Sequence, residues 1–130
     1  MHHRILVVED DYAFRWALAV FLQRTNVEVD IAETGREAVA FLGRNAQDYC
    51  AVILDLSVPA PDGPALIRLI GNSYPALPVL VVTANADPMA RVRDEACASV
   101  VKLVLTKPVD VKEVAVLAHS DCSRRPAASV

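Results

Sequence analysis

Apolar runs in this 130-residue chain end, at separate places, in side chains that could take part in chemistry. These side chains are carboxylates, a hydroxyl and an ammonium: Glu9, Asp10 and Asp11 follow one run, and Asp55, Thr83 and Lys107 follow others. Carboxylate oxygens are the ligands that Mg²⁺ prefers in proteins. An ionised carboxylate can also attack phosphorus when nearby positive charge neutralises the incoming group. These residue types therefore fit phosphoryl transfer with Mg²⁺, provided that the fold brings them together.

Asp55 is the candidate that is hardest to explain as a purely structural residue. It closes the apolar run Ala51–Leu54 and is followed by Leu56. A carboxylate in such surroundings costs free energy unless a cation or hydrogen-bond donors compensate it. Lys107 could supply that positive charge. A second carboxylate nearby, such as Asp10, would add repulsion unless a metal ion lay between the two.

The other candidates also have ordinary structural explanations. Asp10 or Asp11 could cap a helix. Thr83 could be one more β-branched strand residue, and Lys107 could be an exposed lysine at the end of a strand. The case for chemistry therefore rests on the combination of residues rather than on any one of them.

Alternating periodicities indicate the elements that must position these residues. Short β-branched or alternating runs predict five strands: Ile5–Val8, Val27–Ile31, Ala51–Leu54, Val79–Val82 and Lys102–Leu105. Helical spacing, N-cap residues and first-turn prolines predict a helix after each strand: Ala13–Leu22, Arg36–Leu42, Pro64–Ile70, Asp87–Cys97 and Asp110–His119. This alternation is typical of an α/β fold with one open parallel sheet and helices on both faces. In such sheets ligands bind beyond the carboxyl ends of the strands, which is where the candidate residues lie.

The composition fits a single domain with a sizeable core. Hydrophobic residues make up 54% of the chain and charged residues 22%, and the formal net charge is −3. A net negative charge gives no reason to expect a basic face that binds nucleic acid. Polar residues interrupt every apolar stretch, so we expect no membrane span. The acidic residues that follow Met1–Arg4 argue against a secretory signal. We expect a domain over residues 1–119 and a flexible tail, rich in Ser, Arg, Pro and Ala, over residues 120–130.

The cysteines Cys50, Cys97 and Cys122 stand far apart and form no CxxC pair. An odd number of cysteines without the spacing of metal ligands is typical of reduced thiols in the cytoplasm. For Cys50 and Cys97 we expect buried packing, because a free cysteine behaves as a small apolar residue. The cysteines therefore suggest neither a metal site nor a disulfide.

Taken in order, the motifs resemble the receiver domain of two-component response regulators, the CheY-like family. The resemblance extends from Arg4 to about Ala118 and rests on these motifs: Ile5–Asp11, Leu54-Asp55-Leu56 with Pro59 and Asp62-Gly63, Val82-Thr83-Ala84, and Leu105-Thr106-Lys107-Pro108. It implies a flavodoxin-like fold, which is a doubly wound five-stranded parallel sheet with helices on both faces in a single domain. It also implies a cytoplasmic signalling domain that is not an enzyme but promotes its own phosphorylation and dephosphorylation.

The resemblance makes Asp55 the phosphoacceptor. Thr83 would donate a hydrogen bond to the phosphoryl group, Lys107 would form an ion pair with it, and the Lys107–Pro108 peptide bond would be cis, as in the family. The phosphoryl donor would be a sensor histidine kinase or a phosphotransfer protein. The implied partner on the output side is a downstream effector protein or domain, with a homodimer as a further option and with no direct contact to nucleic acid or membrane.

The resemblance also implies a Mg²⁺ site. Asp10 and Asp55 would bind the ion directly, Glu9 through water, and Ser57 through its main-chain carbonyl. Ser57 and Asn85 occupy positions that tune the lifetime of the aspartyl phosphate in the family, and neither residue is charged here. The residue types therefore predict the metal site but not the rate of dephosphorylation.

The chain departs from the family pattern between Thr83 and Lys107. Val104 stands where family members commonly carry an aromatic ring that swings inward on activation. This segment is also a couple of residues longer than usual, and Ala98–Val101 lacks the usual glycine. We therefore expect the region Ala96–Leu105 to couple to a partner or a second copy by packing or reordering; packing of the strand in the core is the ordinary explanation.

Other functions would use a similar fold. A receiver-like interaction module could work without phosphorylation, and its partner binding would then be indifferent to Asp55 and to Mg²⁺. A phosphatase with an aspartyl-phosphate intermediate uses a second acid two residues after the nucleophile, and Ser57 at that position argues against it. A flavin-binding protein is disfavoured because the acidic loop after the first strand would repel the flavin phosphate.

Overall fold

The computed structural model describes residues 3–92 and 96–124, and in this part of the chain five strands form one parallel sheet. The strands are His3–Val8 (β1), Val27–Ala32 (β2), Tyr49–Leu54 (β3), Val79–Thr83 (β4) and Val101–Thr106 (β5), and their order in the sheet is β2-β1-β3-β4-β5. The predicted α/β fold with a doubly wound parallel sheet is confirmed. The winding direction reverses between β1 and β3, so the carboxyl ends of these strands lie at the edge where such folds bind ligands.

Helices cover both faces of the sheet: Tyr12–Gln23 (α1), Gly35–Asn45 (α2), Gly63–Ser73 (α3) and Val111–Arg124 (α4). Ile5 and Val7 of β1 pack in a core cluster with α1 and α4. The alternate residues Leu6 and Val8 pack in a second cluster with α2 and α3. Because the strands are buried on both faces, apolar side chains occupy nearly every strand position near the middle of the sheet.

Capping residues fix where the helices begin. Side-chain oxygens of Asp11, Thr34 and Asp62 accept hydrogen bonds from the backbone N–H three residues later, at 3.3, 3.1 and 3.2 Å. Asp110, which was predicted to cap the last helix, accepts a hydrogen bond from the N–H of Lys112 at 2.9 Å. Caps of this kind are worth about 1 kcal/mol each. They also fix the first turns of the helices next to the strand ends.

The helix predicted over Asp87–Cys97 is wrong. Short 3₁₀ helices instead occupy Asp87–Arg91 and Ala96–Val100, and residues 93–95 lie outside the described part of the chain. The N-cap residue of the first of these is Ala86 rather than Asp87, and it makes no side-chain capping hydrogen bond; the N–H of Asp87 donates to Asn85 Oδ1 at 2.9 Å. Met89 and Val92, three residues apart, are buried, and this spacing suits the three-residue turn of a 3₁₀ helix.

The last helix continues to Arg124, beyond the predicted end near His119. Neither proline nor glycine interrupts residues 120–124, and the next residue that opposes a helix is Pro126. The predicted boundary at residue 119 between domain and tail therefore falls inside α4. Residues 125–130 lie outside the described part, and a flexible tail there stays a prediction. Within the described residues, no helix is both long and apolar enough to cross a membrane.

Cys50 of β3 is buried, as predicted, but it takes part in a disulfide bond. The expectation of reduced thiols is therefore wrong for this residue. Cysteine spacing along the sequence does not report distance in space, and a disulfide requires that the fold bring two Cα atoms within about 7 Å of each other. The side chains of Cys97 and Cys122 lie outside the described part, so the expected packing of Cys97 stays a prediction.

Candidate functional site

Backbone hydrogen bonds align the strand ends that carry the candidate residues. The N–H of Asp55, just after β3, donates to the carbonyl of Val8 at 2.9 Å, so Asp55 emerges beside Glu9. The N–H of Lys107, just after β5, donates to the carbonyl of Thr83 at 2.8 Å. The parallel register therefore brings carboxylates, a hydroxyl and an ammonium to one edge of the sheet, as the sequence predicts.

Asp55 is buried, with 5% of its surface exposed, and both of its carboxylate oxygens have partners. Oδ1 accepts hydrogen bonds from the Ser57 N–H at 3.0 Å, the Ser57 hydroxyl at 2.8 Å and the Thr83 hydroxyl at 2.9 Å. Oδ2 faces Lys107 Nζ at 3.2 Å. Burial alone would raise the pKa of Asp55, but the hydrogen bonds from Ser57 and Thr83 outweigh burial and lower this pKa to about 2. Asp55 is therefore an ionised carboxylate at neutral pH.

Glu9 is buried beside Asp55 and also contacts Lys107. Lys107 Nζ donates to Glu9 Oε1, and Glu9 Oε2 accepts a hydrogen bond from the N–H of Asp11 at 3.2 Å. Burial raises the pKa of Glu9 to about 7, with Asp55 adding to the rise and Lys107 opposing it. A second negative charge at this position is costly without a further cation, which fits a site that takes up a metal ion.

The carboxylates of Glu9, Asp10 and Asp55 form one acidic cluster. One oxygen from each residue lies within 4.8 Å of the other two. Glu9 and Asp55 are buried whereas Asp10 is exposed, so the cluster meets solvent on the Asp10 side. Hard oxygen ligands of this kind suit Mg²⁺. Ser57 adjoins the cluster through its hydrogen bonds to Asp55, and the role predicted for its main-chain carbonyl stays a prediction.

The Lys107 ammonium contacts an aromatic ring in addition to its carboxylate partners. Its side chain is 17% exposed, and Nζ lies 4.4 Å from the centre of the Phe14 ring. Burial would lower the pKa of Lys107, but the charges of Glu9 and Asp55 outweigh burial and hold this pKa above its usual value. Phe14 is absent from the site residues predicted from the sequence. The available signal was its place in the first turn of the helix that follows the acidic residues.

Arg15 is a second residue near the site that the sequence did not single out. Its Nη1 donates to the main-chain carbonyl of Asp10 at 3.1 Å, and its Nη2 pairs with Glu33 at 2.5 Å. The guanidinium also lies over the Tyr12 ring, 5.1 Å from its centre. Arg15 therefore ties the segment that carries Asp10 to the residue preceding the N-cap of α2. An arginine on a helix gives little warning of such a role, because helix surfaces commonly carry arginine.

The loop after Asp55 is fixed against the start of α2. The N–H of Gly35 donates to the carbonyl of Pro59 at 2.8 Å. A Cβ atom on Gly35 would lie 1.7 Å from the carbonyl oxygen of Pro61, so this position requires glycine. The peptide bonds before Pro61 and Pro108 are cis, and the second of these was predicted from the sequence.

Val104 lies on the outward side of β5. The residues of this strand alternate between partly buried and exposed, and Val104 is 39% exposed. Its neighbours Leu103 and Leu105 pack instead against the core cluster that includes α1 and α4. Core packing therefore accounts for those neighbours, whereas a role of the region in binding a partner or a second copy stays a prediction.

Comparison with known proteins decides the family. A family model, the response regulator receiver domain, matches residues 5–118. The chain belongs to this family. Receiver domains are the signalling modules of two-component response regulators, and they bind Mg²⁺ at an acidic site. The described residues of this chain include the acidic cluster of Glu9, Asp10 and Asp55.

Relatives of this receiver domain agree in sequence and in fold. The virulence transcriptional regulatory protein PhoP of Salmonella typhimurium is 40% identical over 111 residues, which is 85% of this chain and 48% of that protein. The transcriptional regulatory protein PhoP of Escherichia coli K12 is 36% identical over the same shares. The receiver domain thus spans about half the length of the curated relatives it matches. A CheY-like receiver domain protein from Methanospirillum hungatei has the same fold, with a TM-score of 0.81 at 22% identity over 95% of this chain and 96% of that one.

Proposed function

We propose that this receiver domain accepts a phosphoryl group on Asp55 in a two-component phosphorelay that uses Mg²⁺. The observation that carries the proposal is the environment of Asp55, a buried carboxylate that hydrogen bonds from Ser57 and Thr83 keep ionised and that faces the Lys107 ammonium. Such a carboxylate can attack phosphorus without a general base, and the cation beside it can neutralise charge on the incoming group.

The transfer forms one bond and breaks one. A carboxylate oxygen of Asp55 attacks the phosphorus of a phosphohistidine in line with the imidazole nitrogen. The new O–P bond forms as the P–N bond breaks, and the bonding electron pair stays on that nitrogen. The histidine ring leaves as neutral imidazole, because its other nitrogen carries a proton. The Thr83 hydroxyl then donates to one phosphoryl oxygen and the Lys107 ammonium pairs with another. Asp55 loses no proton in this step because it is already ionised.

The metal ligands in this proposal are Glu9, Asp10, Asp55 and the main-chain carbonyl of Ser57. These residues would hold Mg²⁺, which would supply positive charge near the phosphoryl oxygens. The close approach of the carboxylates and the raised pKa of Glu9 support this assignment, because a cation among these groups removes their mutual repulsion.

Labelling with acetyl phosphate and Mg²⁺ tests the proposal without a partner protein. Intact mass spectrometry is expected to show one added phosphoryl group on the wild type and none on Asp55→Asn. Asp48→Asn is the matched control, because Asp48 is exposed and precedes the opposite end of β3. That control is expected to label like the wild type. Labelling that survives Asp55→Asn, or a wild type that never labels, would refute the proposal.

The partners in this proposal follow from the family. The phosphoryl donor is a sensor histidine kinase or a phosphotransfer protein in the cytoplasm, and the output is a downstream effector protein or domain, with a homodimer as an option. The PhoP relatives are named as transcriptional regulatory proteins, which supports an effector of that kind. The domain turns over its own phosphoryl group rather than a separate substrate, so we do not class it as an enzyme.

A receiver-like interaction module that works without phosphorylation is the second candidate. The segment between β4 and β5 favours it, because short 3₁₀ helices lie where the sequence predicts an α-helix and Val104 is exposed. For such a module, affinity for the effector would be the same in the wild type and in Asp55→Asn. The phosphoacceptor function instead predicts that beryllofluoride, which mimics a phosphoryl group, changes the affinity of the wild type only.

A further inference from the structure

We propose that Phe14 is a positioning residue for Lys107, and that its ring holds the Lys107 ammonium at the edge of the sheet that carries Asp55. The proposal rests on the proposed phosphoryl transfer to Asp55, because the position of the ammonium matters when a phosphoryl group arrives there. The observation behind it is the distance of 4.4 Å between Lys107 Nζ and the centre of the Phe14 ring.

The ring and the carboxylates reach the ammonium from different elements. Glu9 and Asp55, at the ends of β1 and β3, accept hydrogen bonds from Lys107 Nζ. Phe14 approaches from α1 and attracts the cation through the negative face of its ring. A ring offers no oxygen for a strong hydrogen bond. It therefore restrains the ammonium without competing with phosphoryl oxygens for the N–H donors.

Phe14 is itself held in place at its backbone and at its side chain. It is the third residue of α1, and its N–H donates to the capping carboxylate of Asp11 at 3.3 Å. Its side chain packs against the core cluster that includes Leu18 and Val114. The ring is therefore a fixed surface rather than a mobile one.

A fixed ring reduces the freedom of a flexible lysine. The ammonium sits on a four-carbon stem and is strongly hydrated when it is free to move. When a phosphoryl group is added to Asp55, Lys107 must exchange a carboxylate partner for a phosphoryl oxygen. The Phe14 ring limits where the ammonium can go during this exchange and keeps water from one of its sides. Cation–π attraction of ordinary strength corresponds to about a three- to tenfold change in rate or affinity.

Substitutions at Phe14 separate this role from core packing. Phe14→Leu keeps an apolar side chain but removes the ring, and Phe14→Tyr keeps the ring. Phe21→Leu is the matched control, because Phe21 lies on the same helix, packs against the same core cluster, and places its ring under Arg24, 5.5 Å from the guanidinium carbon, rather than under Lys107. Urea unfolding of the Leu variants measures the stability that each one loses.

The rate of labelling by acetyl phosphate and the affinity for beryllofluoride are the decisive measurements. Both are expected to fall about three- to tenfold in Phe14→Leu, whereas Phe14→Tyr and Phe21→Leu are expected to stay within about twofold of the wild type. The Mg²⁺ affinity of Phe14→Leu is expected to match the wild type, because the ring contacts the lysine and not the carboxylates. A merely structural defect would lower the free energy of unfolding without reducing the affinity for beryllofluoride more than the affinity for Mg²⁺.

The outcomes distinguish this inference from the proposed function. A wild type that does not label contradicts the proposed function, whatever the Phe14 variants do. A wild type that labels, together with Phe14→Leu at the wild-type rate, or with Phe14→Tyr reduced as far as Phe14→Leu, overturns the positioning role. Phe14→Met, which also lacks a ring, replaces Phe14→Leu if the latter does not fold, and the same criteria then apply to it.

Discussion

Gly35, the first residue of α2, faces the carbonyl group of Pro61 so closely that an added Cβ atom would lie 1.7 Å from the carbonyl oxygen. Because the obstructing atoms belong to the backbone, a change of rotamer cannot relieve the clash. Gly35→Ala is therefore expected to lower the free energy of unfolding by about 1–3 kcal/mol, measured by urea denaturation.

Gly43→Ala is the matched control for this prediction. Gly43 lies on the same helix, and apart from its chain neighbours and the nearby backbone of α2, no atom of the described residues lies within 4 Å of a Cβ built there. Alanine is the better helix former, so Gly43→Ala is expected to raise the free energy of unfolding by about 0.5–1 kcal/mol. Effects of the same sign at both glycines would contradict the close contact between Gly35 and Pro61.

Asp10→Asn is expected to weaken Mg²⁺ binding by about tenfold or more, because it removes the exposed carboxylate of the acidic cluster. Isothermal titration calorimetry measures this affinity. The neighbouring Asp11→Asn serves as the control, since Asp11 caps α1 and asparagine caps equally well. Equal losses of Mg²⁺ affinity in the two variants would show that general negative charge, rather than Asp10, binds the ion.

Tyr49 makes the free energy of unfolding depend on pH in the alkaline range. Its hydroxyl donates to Asp30 Oδ2 at 2.7 Å, and burial together with Asp30 raises the pKa of Tyr49 above its usual value. The folded state therefore holds this proton more tightly than the unfolded state. The resulting stability is present below about pH 10 and is lost as the pH rises through the raised pKa.

Tyr49→Phe is accordingly expected to lower the free energy of unfolding by about 1–2 kcal/mol at about pH 8. The difference from the wild type is expected to narrow at about pH 11, where the unfolded wild type gains by ionising Tyr49. Tyr12→Phe is the control, because Tyr12 is 68% exposed and removal of its hydroxyl group should leave the free energy of unfolding unchanged at both pH values. A difference for Tyr49→Phe that stays constant with pH would contradict the raised pKa.

Thiol titration tests the disulfide at Cys50. The chain has three cysteines and a disulfide uses two of them, so the unfolded, unreduced protein is expected to show one thiol. Cys50→Ser is expected to show two thiols under the same conditions. Reduction should also lower the free energy of unfolding by about 2–4 kcal/mol in the wild type but not in this variant. Three thiols in unreduced wild type would contradict the bond.

The edge that carries Asp55, Thr83 and Lys107 could be predicted because strand ends are local features of the sequence. Each apolar run ends where its functional residue begins, and parallel pairing then places those ends side by side. The carboxylates near Asp55 could be predicted for the same reason, since they follow the neighbouring strand. A site whose chemistry depends only on residue type and strand register can thus be predicted from the sequence before the structure is known.

Contacts that depend on tertiary packing could not be predicted in this way. The approach of Phe14 to Lys107 depends on how α1 is rotated above the sheet, and the disulfide at Cys50 depends on which residues the fold brings close to it. The α-helix predicted after β4 is wrong for another reason. Asp87 and Pro88 indicate where a helix can begin, but its length depends on how much apolar surface the following residues bury.

The hydrogen bond from the N–H of Gly35 to the carbonyl of Pro59 makes the loop after Asp55 and the start of α2 one mechanical unit. A hydrogen bond tolerates little stretching, so an outward displacement of this loop either carries α2 with it or breaks the bond. If the bond holds, the displacement acts on the face of the sheet that α2 and α3 cover, while α1 and α4 lie on the other face. A displacement caused by the proposed phosphoryl transfer to Asp55 would therefore reach the two layers of helices unequally.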